Sequence, residues 1–247
     1  MAGIYIHIPY CKKKCIYCDF YFKINTDDIG EMISCIRKEL ISRKKYVKTS
    51  RIKTIYFGGG TPSILTREDI KTTLNTIYDN YKVSKKVEIT LEANPDDLSE
   101  EKLTDFLNIG INRLSIGVQS FNDEDLIFLN RSHCSEDAIN SIKMAQEKGY
   151  KNISVDLMYG LPNQSLKNWE DNLNLLFSLN IQHFSAYILT LEKKTRLFEY
   201  VKKNKVKMLD DIKIISQYNS LLKIAKENNF VQYEISNFAK NNIFSKH

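Results

Sequence analysis

Gly3-Ile4-Tyr5-Ile6-His7-Ile8-Pro9-Tyr10-Cys11-Lys12-Lys13-Lys14-Cys15-Ile16-Tyr17-Cys18 joins a short β-branched run to three cysteines spaced C-x3-C-x2-C. The run Gly3–Pro9 alternates in the manner of a strand and is stopped by proline. Outward from this stretch the pattern repeats. Further strands are predicted at Thr54–Gly60, Val87–Pro95, Arg113–Ser120, Asn152–Gly160 and His183–Leu191, several of them near-continuous apolar runs of the kind buried on both faces. Helical periodicity fills the gaps, at Asp27–Tyr46, Thr66–Tyr81, Ser99–Leu107, Asp123–Leu129, Ser135–Lys148 and Leu166–Leu179. Thr66 followed by Glu68 and Asp69 reads as a helix start, and Gly110 and Gly149 stand where C-caps belong.

Six β–α units in series imply an α/β fold with a parallel sheet and right-handed crossovers. An open doubly wound sheet and a partial (β/α)6 barrel both satisfy the pattern, and both place ligands at the carboxyl ends of the strands. The polar interruptions fall at or near those ends: the cysteines after the first strand, Gly58–Pro62 after the second, Glu92–Pro95 late in the third, Gln119 late in the fourth and Asp156 within the fifth. Beyond residue 200 the pattern changes to a long helix, Met208–Asn229, a strand at Val231–Ile235 and a polar tail, Asn237–His247.

The chain of 247 residues is 43% hydrophobic and 27% charged, which suits one barrel-sized folded unit and excludes a disordered chain. Its formal charge of +6 comes from dispersed lysines, and the runs Lys12–Lys14, Arg43–Lys45 and Lys202–Lys205 lack the interleaved aromatics of a nucleic-acid surface. They read as solvated faces, so no nucleic-acid partner is expected and an acidic small molecule is the better functional guess. No export leader and no apolar run of membrane-spanning length is present, which points to the reducing cytoplasm. There five cysteines, three of them crowded together, argue for a metal site over a disulfide framework. Cys35 and Cys134 stand apart and read as core positions, and His133 and His183 as surface or satisfied core residues.

Three thiolates in one loop can hold an iron–sulfur cube, leaving one iron open. An open iron can chelate the amino and carboxylate groups of S-adenosylmethionine (SAM), whose sulfonium bond a reduced cluster can break. A structural zinc site completed by His7 is the competing reading of the same cysteines. The glycines in Thr54-Ile55-Tyr56-Phe57-Gly58-Gly59-Gly60-Thr61-Pro62 let backbone approach a ligand closely, and no phosphate-loop lysine follows them. Glu92, Gln119, Arg131 and Asp156 each interrupt or close an apolar segment. A buried charge demands a partner, either SAM or another residue of the barrel.

Taken together, these motifs, with Asn130-Arg131-Ser132-His133, Asp156-Leu157-Met158-Tyr159-Gly160-Leu161-Pro162 and Tyr233-Glu234-Ile235-Ser236-Asn237-Phe238, resemble the oxygen-independent coproporphyrinogen III oxidase group of radical SAM proteins over nearly the whole chain. Within it the chain is most similar to the heme-chaperone (HemW) branch. The oxidase has a further cysteine two residues after the third, where this chain has Phe20, and a longer segment ahead of the cysteines. The resemblance implies a partial (β/α)6 TIM-like barrel over residues 1–200 and the start of a truncated C-terminal extension over 201–247. It implies a [4Fe–4S] cluster on Cys11, Cys15 and Cys18, and SAM contacts from Tyr5, Tyr17, Gly59, Gly60, Thr61, Glu92, Gln119, Arg131 and Asp156, with Thr190 aligned by spacing only. It implies heme as cargo, heme-accepting proteins (respiratory ones among them), and an electron donor such as flavodoxin or ferredoxin. It allows membrane-associated acceptors and a homodimer. His247 falls where a heme-linked His-Asn-x-x-Tyr-Trp motif begins in that branch, so weakened heme binding is expected of a chain that stops there.

Overall fold

The computed structural model describes residues 2–47 and 50–247. Six parallel strands, β1 (Ala2–Ile8), β2 (Ile52–Gly59), β3 (Val83–Ala93), β4 (Arg113–Gln119), β5 (Ile153–Tyr159) and β6 (His183–Ile188), lie side by side in chain order. That order decides between the two architectures left open by the sequence. A doubly wound sheet reverses its strand order and has helices on both faces. Strictly sequential right-handed crossovers put every helix on one side and curl the sheet into a partial barrel.

The helices are α1 (Ile29–Ser42), α2 (Arg67–Asn80), α3 (Glu100–Asn108), α4 (Asp123–Leu129), α5 (Ser135–Glu147), α6 (Leu166–Ser178), α7 (Arg196–Lys202) and α8 (Asp211–Glu227). Alternation along the strands sorts side chains onto two faces. Ile4, Ile6 and Ile8 of β1, Ile55 and Phe57 of β2, Ile89 and Leu91 of β3, and their counterparts on β4–β6 form one buried core with Ile33, Ile70, Leu74, Phe106, Ile142, Trp169 and Leu173 of the helices. Burying each such side chain contributes about 1.5–3 kcal/mol relative to exposure. The opposite face of the same strands carries Tyr5, Tyr56, Glu92, Arg113, Ser115, Asp156, His183 and Ser185, and these line a cavity. The lumen is therefore polar, whereas a closed TIM barrel fills it with branched apolar side chains.

Local signals set the helix starts. Thr66 and Asp69 exchange bonds in a capping box: the Asp69 amide donates to Thr66 Oγ1 at 3.2 Å, and the Thr66 amide donates to Asp69 Oδ2 at 3.0 Å. Thr66→Ala removes the acceptor for the Asp69 amide and is expected to lower stability by about 1 kcal/mol with an unchanged m-value, measured by urea unfolding. Gly110 and Gly149 end α3 and α5 with φ of 101° and 100°, as their positions foretold.

The C-terminal quarter departs from expectation. Asn237–Ala239 is not part of a polar tail. It forms β8, antiparallel to β6, with β7 (Val231–Gln232) on its far edge. Phe238 drives this placement, fully buried and stacked on Phe184 at 4.7 Å. The helix α8, shorter than Met208–Asn229, packs on α6, where Trp169 Nε1 donates to the Gln217 carbonyl at 3.0 Å. The seven-residue α7 was not anticipated, because Lys193, Lys194 and Arg196 mask its short apolar stripe; Thr195 caps it. Cys35 and Cys134 are exposed, which corrects their reading as core. Cys35 lies two residues past the buried Ile33, on the opposite face of α1, and Cys134 stands at the N-cap of α5.

Candidate functional site

The cysteine loop lies across the carboxyl rim of the barrel, held by backbone bonds at both ends. The Cys11 amide donates to the Lys23 carbonyl at 3.0 Å, and the Lys23 amide donates to Pro9 at 2.7 Å. Ile16 bonds to Leu129 and to Leu197, which ties the middle of the loop to α4 and α7. The Lys12 ammonium joins Asp96 at 3.1 Å and also Asp97, whose carboxylate accepts from Ser63 Oγ at 2.7 Å. Lys12 thus clamps the loop to the turn after β3.

Cys11, Cys15 and Cys18 are free thiols, each half-buried. Two already have hydrogen-bond donors. Thr61 Oγ1 donates to Cys11 Sγ at 3.4 Å, and Arg131 Nη1 donates to Cys15 Sγ at 3.4 Å. Arg131 also donates through Nη2 to Asn94 Oδ1 and to the Gly117 carbonyl, both at 2.7 Å. Burial pushes the Cys11 and Cys18 thiols up from their usual range. Burial, with the neighbouring Cys15 opposing Arg131, does the same for the Tyr17 phenol. Gly60 is needed where it stands: a Cβ there would lie 2.6 Å from the Tyr10 carbonyl oxygen and 3.0 Å from Cys11 Sγ.

Below the loop lies a cavity of about 440 Å3. Glu92 projects into it, its carboxylate accepting from the Tyr56 hydroxyl at 2.7 Å and from the Gly59 amide at 3.0 Å. Burial raises its pKa to about 7, with Asp156 adding to the rise. Asp156, bonded by Ser115 Oγ at 3.4 Å, is raised to about 6, again mainly by burial. Gln119 ends β4 with φ of 67°, a left-handed conformation rare outside glycine, at the break in the β4–β5 register. Such strain persists where the surroundings impose it and clusters at functional sites.

Most of the expected residues therefore converge. Tyr5, Glu92 and Asp156 line the lumen, Gly59, Gly60, Thr61, Gln119 and Arg131 stand at the rim, and Tyr17 lies on the loop above. Thr190 is exposed two residues past β6, outside the cavity lining. The sequence reading missed Tyr56, Arg113, Ser115, Ser185 and Asn237. For Ser115 and Ser185 the signal was a polar residue at alternate positions of an apolar strand; Tyr56, Arg113 and Asn237 left no such mark. Arg113 is buried, and its Nε has no hydrogen-bond partner. His133 and His183 are core residues: His183 is fully satisfied, bonding both Ser154 and Tyr233 at 2.7 Å, whereas His133 bonds the Val118 carbonyl through Nε2 at 2.8 Å and leaves its buried Nδ1 without a partner. Burial depresses them to about 4 and about 3, so both are neutral at pH 7.

His247 reaches the inner wall of the barrel. Its Nδ1 bonds Thr54 Oγ1 at 2.9 Å, and its ring stacks on Tyr56 at 5.0 Å. Just before it the Lys246 amide donates to the buried Glu88 at 2.9 Å, and the Ser245 amide donates to the Tyr233 hydroxyl at 3.3 Å.

The donor set fits an iron–sulfur cluster. Three thiols share one loop, and hydroxyl and guanidinium donors already face their sulfurs, the kind of second-sphere bond that tunes such clusters. Among the described residues no three His, Cys, Asp or Glu side chains converge closely enough to hold a single ion. A cube instead presents its ligands at separate corners. The recessed carboxylates below the loop suit a cationic sulfonium ligand.

The comparisons agree with this geometry. Residues 5–176 match the model of the Radical SAM superfamily. The chain is 40% identical over 250 residues to the heme chaperone HemW of Bacillus subtilis, covering 100% of this chain and 66% of that protein. It is 38% identical to radical S-adenosyl methionine domain-containing protein 1, mitochondrial, of Danio rerio, covering 100% of this chain and 56% of that one. The solved structure of coproporphyrinogen III oxidase (HemN) from Escherichia coli superposes with a TM-score of 0.86 at 22% identity, over 97% of this chain and 56% of that chain. The chain thus spans between about half and two thirds of the length of these relatives. None of the helices is long and apolar enough to cross a membrane, among the described residues.

Proposed function

This chain belongs to the radical SAM superfamily, and on that premise we propose that it carries heme, holding a [4Fe–4S] cluster on Cys11, Cys15 and Cys18 with SAM beneath it. The observation that carries the reading is a loop of three free thiols lying over a polar, carboxylate-lined lumen. Bound there, the cluster and SAM supply one-electron cleavage of a sulfonium C–S bond. The residues bind and orient. Glu92 and Asp156 face the cationic ligand, the Tyr56 hydroxyl and Gly59 amide fix the Glu92 carboxylate, and Arg131 bonds the Cys15 sulfur. Tyr5, Tyr17, Gly60, Thr61 and Gln119 complete the SAM contacts, and Thr190 is a rim position that a bound ligand would have to reach.

The carrier role rests on the likeness to the curated heme chaperones, which extends over the full chain. It extends to heme-accepting proteins, to a one-electron donor such as flavodoxin or ferredoxin, and to a reducing cytoplasm. Residues 1–200 form the cofactor unit in this reading, and 201–247 a C-terminal extension of it. Oxidation of coproporphyrinogen is the weaker alternative, since Phe20 replaces the oxidase's additional cysteine and the oxidase likeness at 22% identity speaks to fold alone.

The test is anaerobic reconstitution with iron and sulfide, followed by paired assays. Hemin bound and passed to an apo-hemoprotein, with coproporphyrinogen untouched, is the expected result. Release of 5′-deoxyadenosine with consumption of coproporphyrinogen would establish the oxidase instead. Absence of both cluster and hemin binding would refute the proposal.

A further inference from the structure

Where the loop continues past Cys18, Phe20, Tyr21 and Ile24 stand 72%, 73% and 56% exposed. With Phe22, Lys14 and Lys194 they line an open groove of about 630 Å3 that reaches Cys18. Soluble chains seldom display adjacent large apolar side chains without a binding purpose. The display is fixed by the backbone: the segment after Cys18 is pinned by the bridge between Tyr10 and Lys23 and by the Lys23 bond to Pro9 at 2.7 Å. Lys14 places its ammonium 5.6 Å above the Phe22 ring. The lining holds two lysines and one carboxylate, Asp19.

We propose that this groove takes the cargo: a flat tetrapyrrole whose ring lies on Phe20, Tyr21, Phe22 and Ile24 and whose two carboxylates meet Lys14 and Lys194. This rests on the heme-carrier reading and assigns it a site. The groove's volume lies within the range of small-molecule sites, roughly 300–1,000 Å3. The charge distribution favours it over the lumen. The lumen presents Glu92, Asp156 and Glu234 against Arg113, and would repel a dianion. His247, the heme ligand expected from the sequence, is engaged there with Thr54 and Tyr56. A tetrapyrrole in the groove touches the segment that carries Cys18, so cargo and cluster share one loop.

The experiment titrates hemin, and separately its dimethyl ester, into the whole chain after cluster reconstitution, following the Soret band at one equivalent. Phe20→Ser with Tyr21→Ser is expected to weaken hemin about 10-fold or more, from lost apolar contact. Lys14→Gln with Lys194→Gln is expected to weaken hemin about 5-fold and to leave the diester unchanged, since exposed charge pairs contribute up to about 1 kcal/mol. Iron content and SAM cleavage should match the parent protein. If the aromatic pair disturbs the cluster, the lysine pair, confined to exposed side chains, still decides. Unchanged hemin affinity in both variants, or a loss confined to His247→Ala, overturns the groove while leaving the carrier role standing. So does a variant that only slows cluster reduction by a protein donor. A parent chain that binds no hemin overturns the carrier role and the groove with it.

Discussion

Cys15→Ala, reconstituted without oxygen with iron and sulfide, is expected to hold no cluster and to cleave no SAM. Cys15 is the middle ligand of a set with no reserve. The other cysteines, Cys35 and Cys134, are exposed on α1 and at the start of α5. Cys15 is also the thiol that meets Arg131, whose recessed guanidinium is fixed by Asn94 and Gly117. Removing the sulfur leaves two ligands for a cube and a guanidinium nitrogen without its acceptor. The fold should survive, because the loop remains tied to Lys23, Leu129, Asp96 and Asp97 by bonds that do not involve the thiol. The measurement pairs iron and sulfide content with circular dichroism. A folded variant with the full iron complement would refute the assignment of Cys15, and an unfolded one would show that the loop depends on the thiol for more than cofactor binding.

The parallel strands were legible because each is a short β-branched or apolar run, several of them nearly continuous, that ends in glycine, proline or a polar residue and is followed by a helical pattern. The chemistry-bearing residues were legible where one interrupts an apolar run, as Glu92 and Asp156 do. Tyr56 was not, since an aromatic in a strand looks like core, and only the register of β2 on β3 brings its hydroxyl to Glu92. Arg113 opens a strand and resembles a solvated terminus until the curl of the sheet encloses it. The expectation for Asn237–His247 failed for a related reason. Local composition there is largely polar, but one of its two phenylalanines, Phe238, has a partner 54 positions earlier in Phe184, and long-range pairing overrides local tendency. His247 was expected at a heme site from motif position alone, and nothing local could reveal that the tail turns into the barrel.

Glu92→Gln is expected to stabilise the ligand-free protein above pH 7 and to weaken SAM by about 100-fold, or 2–3 kcal/mol, within the range for losing one member of a recessed charge pair. The stability side follows from linkage. Burial raises the Glu92 carboxyl from 4.5 to about 7, so the folded chain holds a proton that the unfolded chain has released. A raised acid contributes its full stability below pH 4.5, and that contribution fades as pH climbs to about 7. At pH 8 the carboxylate costs roughly 3 kcal/mol as an upper bound, at 1.36 kcal/mol per pKa unit. Glutamine removes that cost but can accept from only one of the Tyr56 hydroxyl and the Gly59 amide through its single carbonyl oxygen, so a net gain of about 1 kcal/mol is the expected outcome. Urea unfolding at pH 5 and pH 8 should show the variant's advantage only at the higher value, and SAM affinity in the parent chain should rise across the same interval as Glu92 and Asp156 ionise. A variant that is no more stable at pH 8, yet binds SAM as tightly as the parent, would show that Glu92 is structural. The opposite signs expected for folding and binding are the mark of a carboxylate kept recessed for a cation.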